Sequence, residues 1–256
     1  MTLFRPCIDL HDGRVKQIVG SSLRGDGSGP DENFVADEDA AYYARRYRDD
    51  NLRGGHVIRL GPGNDDAARR ALGAWPGRMQ LGGGIRDDNA DEWFEAGASK
   101  LIVTSWLFEG DILRVDRARV LAGQIGRERL VFDLSCRRVD DGWRVATEKW
   151  QRITNTPIEI RTFERLAEFC SEFLVHAADA EGRCEGIDED LVRMLGEGCP
   201  IPCTYAGGGR DIADLDLVAE LSEGRVDLTF GSALDLFGGS GVRYADCVAW
   251  NREHRG

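Results

Sequence analysis

Three features of the first half of this chain recur in the second half at nearly one interval. Asp9, in the apolar run PCIDL, is answered 124 positions later by Asp133 in LVFDL. The segment LGGGIR at 81–86 is answered by YAGGGRD at 205–211, with 125 positions between Gly83 and Gly208. VTSWLF at 103–108 is answered by FGSALDLF at 230–237, with 127 positions between Ser105 and Ser232. Agreement of all three points to a duplicated architecture with halves of about 1–125 and 126–256.

Eight short apolar runs carry the repeat: PCIDL, GHVIRL, RMQLGG, KLIVTS, RLVFDL, EFLVHA, PCTYAGG and VDLTFGS. Segments with helical periodicity lie between them, among them 38–49, 89–98 and 163–172. Strand, turn and helix in repetition imply a parallel sheet with right-handed crossovers. The length of 256 residues matches one closed barrel of this kind. The expected class is therefore α/β, a single-domain (β/α)₈ TIM barrel with duplicated half-barrel symmetry. Two stretches that follow strands read as candidate lids on the catalytic face. SSLRGDGSGPDEN at 21–33 is a long mobile loop, and DDGWRVATEKWQ at 140–151 is either a second loop or a small hairpin.

A formal charge of −12 argues against nucleic acid or an anionic membrane as partner. No apolar run reaches the roughly 18 residues of a membrane span, and the N-terminus lacks a basic region followed by an apolar stretch. A monomer in the cytoplasm is expected. Seven scattered cysteines without a C-x-x-C pair make a zinc site or disulfide framework unexpected. Cys199 and Cys203 read as buried thiols.

Each Gly-rich segment stands at a strand end, where missing Cβ atoms permit φ > 0 and let backbone N–H groups approach an anion. Each is followed some twenty residues on by a small polar turn, Thr104–Ser105 or Gly231–Ser232, where a helix N-terminus would add donors and dipole. Two such sites imply a small-molecule ligand with two phosphates. A four-strand offset sets equivalent parts on opposite sides of the barrel axis, so the sites should face each other across the mouth. An Asp at the end of an apolar strand loses hydration, and two at equivalent positions between two anion sites suit a general acid and a general base. Spacing alone does not say which is which.

At this level the chain resembles the eukaryotic-type family of histidine-pathway isomerases, which convert the phosphoribosyl-formimino-aminoimidazole carboxamide ribotide ProFAR to its ribulosyl isomer. The matching stretches include FRPCIDLHDGRVKQIVG, DNLRGGHVIRLGPGND, LGGGIR, IVTSWLF, RLVFDLSCRR, KWQRITNTP, LVHAADAEG and PCTYAGGGR, and they run over nearly the whole chain. The resemblance implies an Amadori rearrangement without metal or cofactor. An acid protonates the ribose ring oxygen, and a base removes the C2′ proton to give an enolamine that ketonises. Carried over by position, Asp9 is the base and Asp133 the acid. Gly83, Gly84 and Ser105 fall in the first phosphate region, and Gly208, Gly209, Gly231 and Ser232 in the second.

In HAADAEG, Ala177 stands near the place of a Thr in bacterial relatives and Glu181 near that of an Asp, with Asp179 as a further candidate. The family stacks a tryptophan on the aminoimidazole, a place open to Trp143 or Trp150. His176 reads as a strand-end structural histidine rather than a proton carrier. Arg86 and Arg210 pair either with phosphate or with acidic neighbours. Two other functions compete: the cyclase of the same pathway, whose first strand continues as D-G-x-V-V-K-G where this chain has DGRVKQIVG, and a non-catalytic phosphosugar-binding barrel.

Overall fold

The computed structural model describes residues 1–19, 31–140, 142–148 and 150–254. Among these, eight parallel strands alternate with eight α-helices. The strands are β1 (Cys7–His11), β2 (His56–Arg59), β3 (Gln80–Gly82), β4 (Leu101–Val103), β5 (Leu130–Asp133), β6 (Glu172–His176), β7 (Cys203–Ala206) and β8 (Val226–Thr229). Each pairs in parallel with its successor. The ring closes where Phe4 pairs in parallel with Leu228 and the Arg5 N–H donates to the Leu228 carbonyl at 2.8 Å. Buried Asn251 of the last helix seals that seam by accepting from the Phe4 N–H and donating to its carbonyl, both at 2.8 Å. Closure leaves no barrel edge open to another strand.

Seven of the eight strands fall within the apolar runs that predict them, and β1 runs one residue past PCIDL to His11. The helices are α1 (Ala40–Asp49), α2 (Asp65–Ala74), α3 (Ala90–Glu95), α4 (Val115–Ile125), α5 (Ile160–Ala167), α6 (Glu189–Gly198), α7 (Ala213–Leu221) and α8 (Tyr244–His254). At α1, Asp39 caps the first turn by accepting from the Tyr42 N–H at 2.9 Å. The helix expected over 163–172 is displaced. It begins at Ile160 and stops at Ala167, because Ser171 N–H bonds to the Leu130 carbonyl and Glu172 already belongs to β6.

Side chains alternate across each strand, and the two faces differ in kind. Ile8, Leu10, Val57, Leu81, Leu101, Phe132, Phe173, Val175, Tyr205 and Leu228 point outward into the main core under the helices. Inward, the barrel is stratified. At the strand starts, Glu172 accepts from Gln80 Nε2 at 2.8 Å and Lys100 Nζ at 3.1 Å, beside the Arg5–Asp227 pair at 2.6 Å. A thin apolar plug follows, of Ile102, Val131, Leu174 and Ala206 with Ile58 against it. Above the plug, at the strand ends, stand Asp9, Asp133 and His176. Glu172, Leu174 and His176 are alternate residues of β6, so one strand face passes through all three strata.

Two insertions dress the catalytic face. After β1, the strand Arg14–Ile18 turns back antiparallel and pairs with Glu32–Val35. Of the loop expected at 21–33, Glu32 and Asn33 belong to the second of these strands, and 20–30 fall outside the described residues. After β5, the strands Cys136–Val139, Gly142–Thr147 and Arg152–Pro157 form an antiparallel sheet, so the second insertion is a hairpin with a third strand.

Candidate active site

β1 and β5 bring Asp9 and Asp133 to one cavity of about 480 Å³ at the strand ends, which Gly83, Gly84, Thr104, Ser105, Trp150, His176 and Glu181 also line. A smaller recess adjoins it through Asp9, His176 and Glu181, and holds Gly208, Gly209, Gly231 and Ser232. The two Gly-rich turns therefore lie on either side of the carboxylates.

The two aspartates are held differently. Asp133 Oδ1 accepts from the Ser135 N–H and the Ser135 hydroxyl, both at 2.8 Å. Its Oδ2 accepts from the Thr104 hydroxyl at 3.2 Å. Asp9 Oδ2 accepts from Gln17 Nε2 at 2.9 Å. Burial raises the Asp9 carboxyl above the usual carboxylate range, only partly offset by Gln17 and His176.

His176 stands between them. Its Nδ1 is 3.7 Å from Asp133 Oδ1, an ion-pair distance rather than a hydrogen bond, and Nδ1 is buried without a hydrogen-bond partner. Burial works to lower this imidazole, but Asp133, with Glu181 and Asp9, outweighs it and lifts His176 to about 9. The neighbouring His56, 6.3 Å away between ring centroids, falls to about 3 through burial and the charge of His176. One histidine of the pair is charged and the other neutral. Burial, reinforced by Asp9, raises Glu181 to about 7, with His176 pulling the other way.

In both Gly-rich turns the middle glycine has a left-handed backbone, φ +90° at Gly83 and φ +78° at Gly208. A Cβ at Gly83 would run into the Arg59 carbonyl, and one at Gly208 into that of Gly186. No other residue fits either turn as built. The small polar turns depart from expectation, because neither opens an α-helix. Ser105 begins a three-residue 3₁₀ turn, Ser105–Leu107, after which buried Leu107 and Phe108 lead the chain into the hairpin Phe108–Glu109 with Ile112–Leu113. Ser232 precedes another 3₁₀ turn, Asp235–Phe237, ended by left-handed Gly238. Pieces this short carry little dipole, so local N–H groups remain as the donors. The Thr104 hydroxyl is spent on Asp133 rather than on the anion turn, and the Ser232 hydroxyl accepts from Asn33 Nδ2 at 3.0 Å.

Of the two tryptophans, Trp150 lines the cavity, with its ring centroid 5.9 Å from that of His176 and its backbone left-handed at φ +64°. Trp143 lies away from it, donating from Nε1 to Asp188 at 2.9 Å under the Arg138 guanidinium. Asp179 is not at the cavity either, since it accepts from Arg137 Nε at 2.9 Å and from the Arg138 N–H at 2.8 Å. Arg86 and Arg210 pair with acidic neighbours, Asp88 at 3.0 Å and Asp211 at 2.9 Å. All seven cysteines are free, and the described residues hold no group of three or more His, Cys, Asp or Glu able to bind a metal.

Three contributors escape the sequence reading. Gln17 and Ser135 hold the two carboxylates. Arg59 donates from Nη2 to the Gly83 carbonyl and lies 4.1 Å over the Trp93 ring, steadying the first turn. Ser135, two positions after Asp133, has the spacing of a side-chain turn. Gln17, by contrast, reaches Asp9 only through the antiparallel return of the chain.

Among the described residues no helix is long and apolar enough to cross a membrane. The chain is 56% identical over 255 residues to a 1-(5-phosphoribosyl)-5-((5-phosphoribosylamino)methylideneamino)imidazole-4-carboxamide isomerase of Neurospora crassa, covering 98% of this chain and 99% of that one. It is 50% identical to the protein of the same name from Saccharomyces cerevisiae, covering 99% of both chains. A chloroplastic isomerase of Medicago truncatula is 47% identical, with 98% of this chain matching 82% of its length. The family model described as histidine biosynthesis protein matches residues 4–239. A closed barrel with paired Gly-rich turns thus meets full-length similarity, and the chain belongs to the histidine biosynthesis protein family.

Proposed function

We infer that this chain is the ProFAR isomerase of histidine biosynthesis, an intramolecular aldose–ketose isomerase. The observation that carries the reading is the placement of Asp9 and Asp133 in one cavity between two Gly-rich turns, a site for a substrate with a phosphate at each end. Full-length isomerase relatives at about half identity support the same conclusion.

In this reading Gly83, Gly84 and Ser105 bind one phosphate, and Gly208, Gly209, Gly231 and Ser232 the other, mainly through backbone N–H groups. The sugar between them is fixed relative to both carboxylates. The Asp133 side supplies a proton to the ribose ring oxygen as its bond to C1′ breaks and the nitrogen lone pair forms C1′=N. Asp9 removes the proton on C2′, and the electrons move to give the enolamine. That proton ends on C1′ when the enolamine ketonises and O2′ releases its own. Asp9 suits the base, since burial outweighs its hydrogen bonds and leaves it avid for a proton. Trp150, which lines the cavity, covers the aminoimidazole in this reading.

One chain holds both turns and both aspartates, which supports a monomer as the working unit, one domain whose halves are 1–125 and 126–256. The compartment proposed is the cytoplasm. The test is an assay of purified protein with ProFAR and phosphoribosylanthranilate side by side, together with Asp9→Asn and Asp133→Asn. Each substitution should lower kcat by at least about 10²-fold, the usual worth of one acid-base group. Unchanged turnover in both variants removes the acid-base assignment. Imidazole glycerol phosphate formed from the ribulosyl substrate and ammonia would mark a cyclase instead.

A further inference from the structure

We propose that His176 carries the proton that opens the sugar ring, and that Asp133 serves to hold the imidazolium in place. The inference rests on the isomerase reading above and departs from the structural role that the sequence suggests for this histidine.

Hydrogen bonding around Asp133 is the first argument. Its Oδ1 already accepts twice, from the Ser135 N–H and hydroxyl, and its Oδ2 accepts from Thr104. Three protein donors thus already engage the carboxylate oxygens. A proton-delivering group needs instead a proton already in place and an atom facing the cavity. His176 lines both the cavity and the recess. With its Nδ1 turned to Asp133 at 3.7 Å, Nε2 is the ring nitrogen available to a ligand.

The surrounding charges are the second argument. The titratable groups that face His176 are Asp9 from β1, His56 from β2, Asp133 from β5 and Glu181 from the turn after β6. Asp133, Glu181 and Asp9 all favour the imidazolium, and His56 is held neutral by burial. Trp150 closes one side of the ring at 5.9 Å. The imidazolium is thus paired with Asp133, and it shares the recess with Asp9, the group assigned to C2′ deprotonation.

The step balances without any further reactant. Nε2–H gives its proton to the ring oxygen, the C1′–O bond breaks with its electron pair going to that oxygen, and the nitrogen lone pair forms C1′=N. Asp9 then takes the C2′ proton. On ketonisation that proton passes to C1′, and the proton leaving O2′ restores the imidazolium through solvent.

The test is a pH profile of kcat and KM for the wild type and His176→Gln, with a histidine NMR titration of the wild type and Asp133→Asn. His11→Gln and His254→Gln assign the resonances of two of the other histidines. We expect a wild-type alkaline limb near the His176 value of about 9. In H176Q that limb is gone and kcat is down about 10²-fold, while KM changes by less than about threefold because the anion turns are intact. In D133N the His176 titration moves down. If H176Q does not fold, the NMR titration decides on its own. His176 titrating below neutral in the wild type, or an H176Q profile that keeps the wild-type alkaline limb and kcat, overturns the inference. A wild type that does not turn over ProFAR removes the isomerase reading itself, whereas turnover matched by H176Q removes only the role of His176.

Discussion

Gln17 donates through Nε2 to Asp9 Oδ2 at 2.9 Å, while the other end of the same amide, Oε1, lies against Gly231 of the Gly231–Ser232 turn. One side chain thus links the proposed base to a proposed phosphate site. Replacement by Ala removes the donor to the carboxylate, which raises Asp9 further, since a hydrogen bond to the charged form favours that form. In Gln17→Ala the acidic limb of kcat/KM should move to higher pH. Turnover at neutral pH should drop about tenfold, the value of one hydrogen bond to a charged group. An acidic limb that stays at the wild-type pH would show that Gln17 does not act through Asp9.

Trp150 and Trp143 separate substrate contact from packing. Trp150 borders the cavity in a left-handed backbone conformation, a local cost of the kind that concentrates at binding sites. Trp143 bonds Asp188 under Arg138 on the far side of the insertion. Trp150→Ala should raise KM for ProFAR about tenfold with little change in melting temperature, because stacking on a base contributes about 1–3 kcal/mol. Trp143→Ala should leave KM unchanged and lower stability by about 1–3 kcal/mol through lost burial and a lost hydrogen bond. Measured KM and Tm for both variants check the pair, and the reverse pattern would put the substrate against Trp143.

Periodicity makes the barrel legible, because each strand is a short apolar run and helical periodicity marks several of the segments between them. The half-chain interval marks the candidate site as well, since it singles out Asp9, Asp133 and both Gly-rich turns, which line adjoining cavities. What stayed hidden depends on pairing across long separations. Gln17 reaches Asp9 only because Arg14–Ile18 folds back on β1, and a polar residue in VKQIV carries no mark of that. His176 looked structural because its sequence neighbours are small and apolar. Its character comes from Asp133, Glu181 and Asp9, the first and last of which are distant in the chain. The choice between Trp143 and Trp150 turns on the fold of the insertion, in which the turn after Gly142–Thr147 brings Trp150 to the cavity while Trp143, in the strand, bonds Asp188, and sequence spacing does not encode it. Helix starts at Ser105 and Ser232 were expected from small polar residues, but bulky neighbours that had to reach the core drew both segments into 3₁₀ turns.

The charged histidine also predicts how stability depends on pH. His176 is lifted to about 9 in the fold, whereas an unfolded histidine titrates near 6.5. Between these values the folded protein holds a proton that the unfolded chain has released, so the stabilisation is complete below about pH 6.5 and is lost as pH rises through 9. The loss should total on the order of a few kcal/mol. Glu181, raised to about 7, acts in the same direction between about 4.5 and 7. His56, lowered to about 3, opposes it on the acid side, because an unfolded histidine binds protons there that the buried one refuses. The window from pH 7 to 9 therefore isolates His176 from both. Thiols of the unfolded chain begin to release protons toward the top of that window, so the difference between wild type and His176→Gln is the informative quantity. Urea unfolding at pH 7, 8 and 9 should show wild-type stability falling toward pH 9 more steeply than that of H176Q. Parallel slopes for the two proteins would mean that His176 is not charged in the fold.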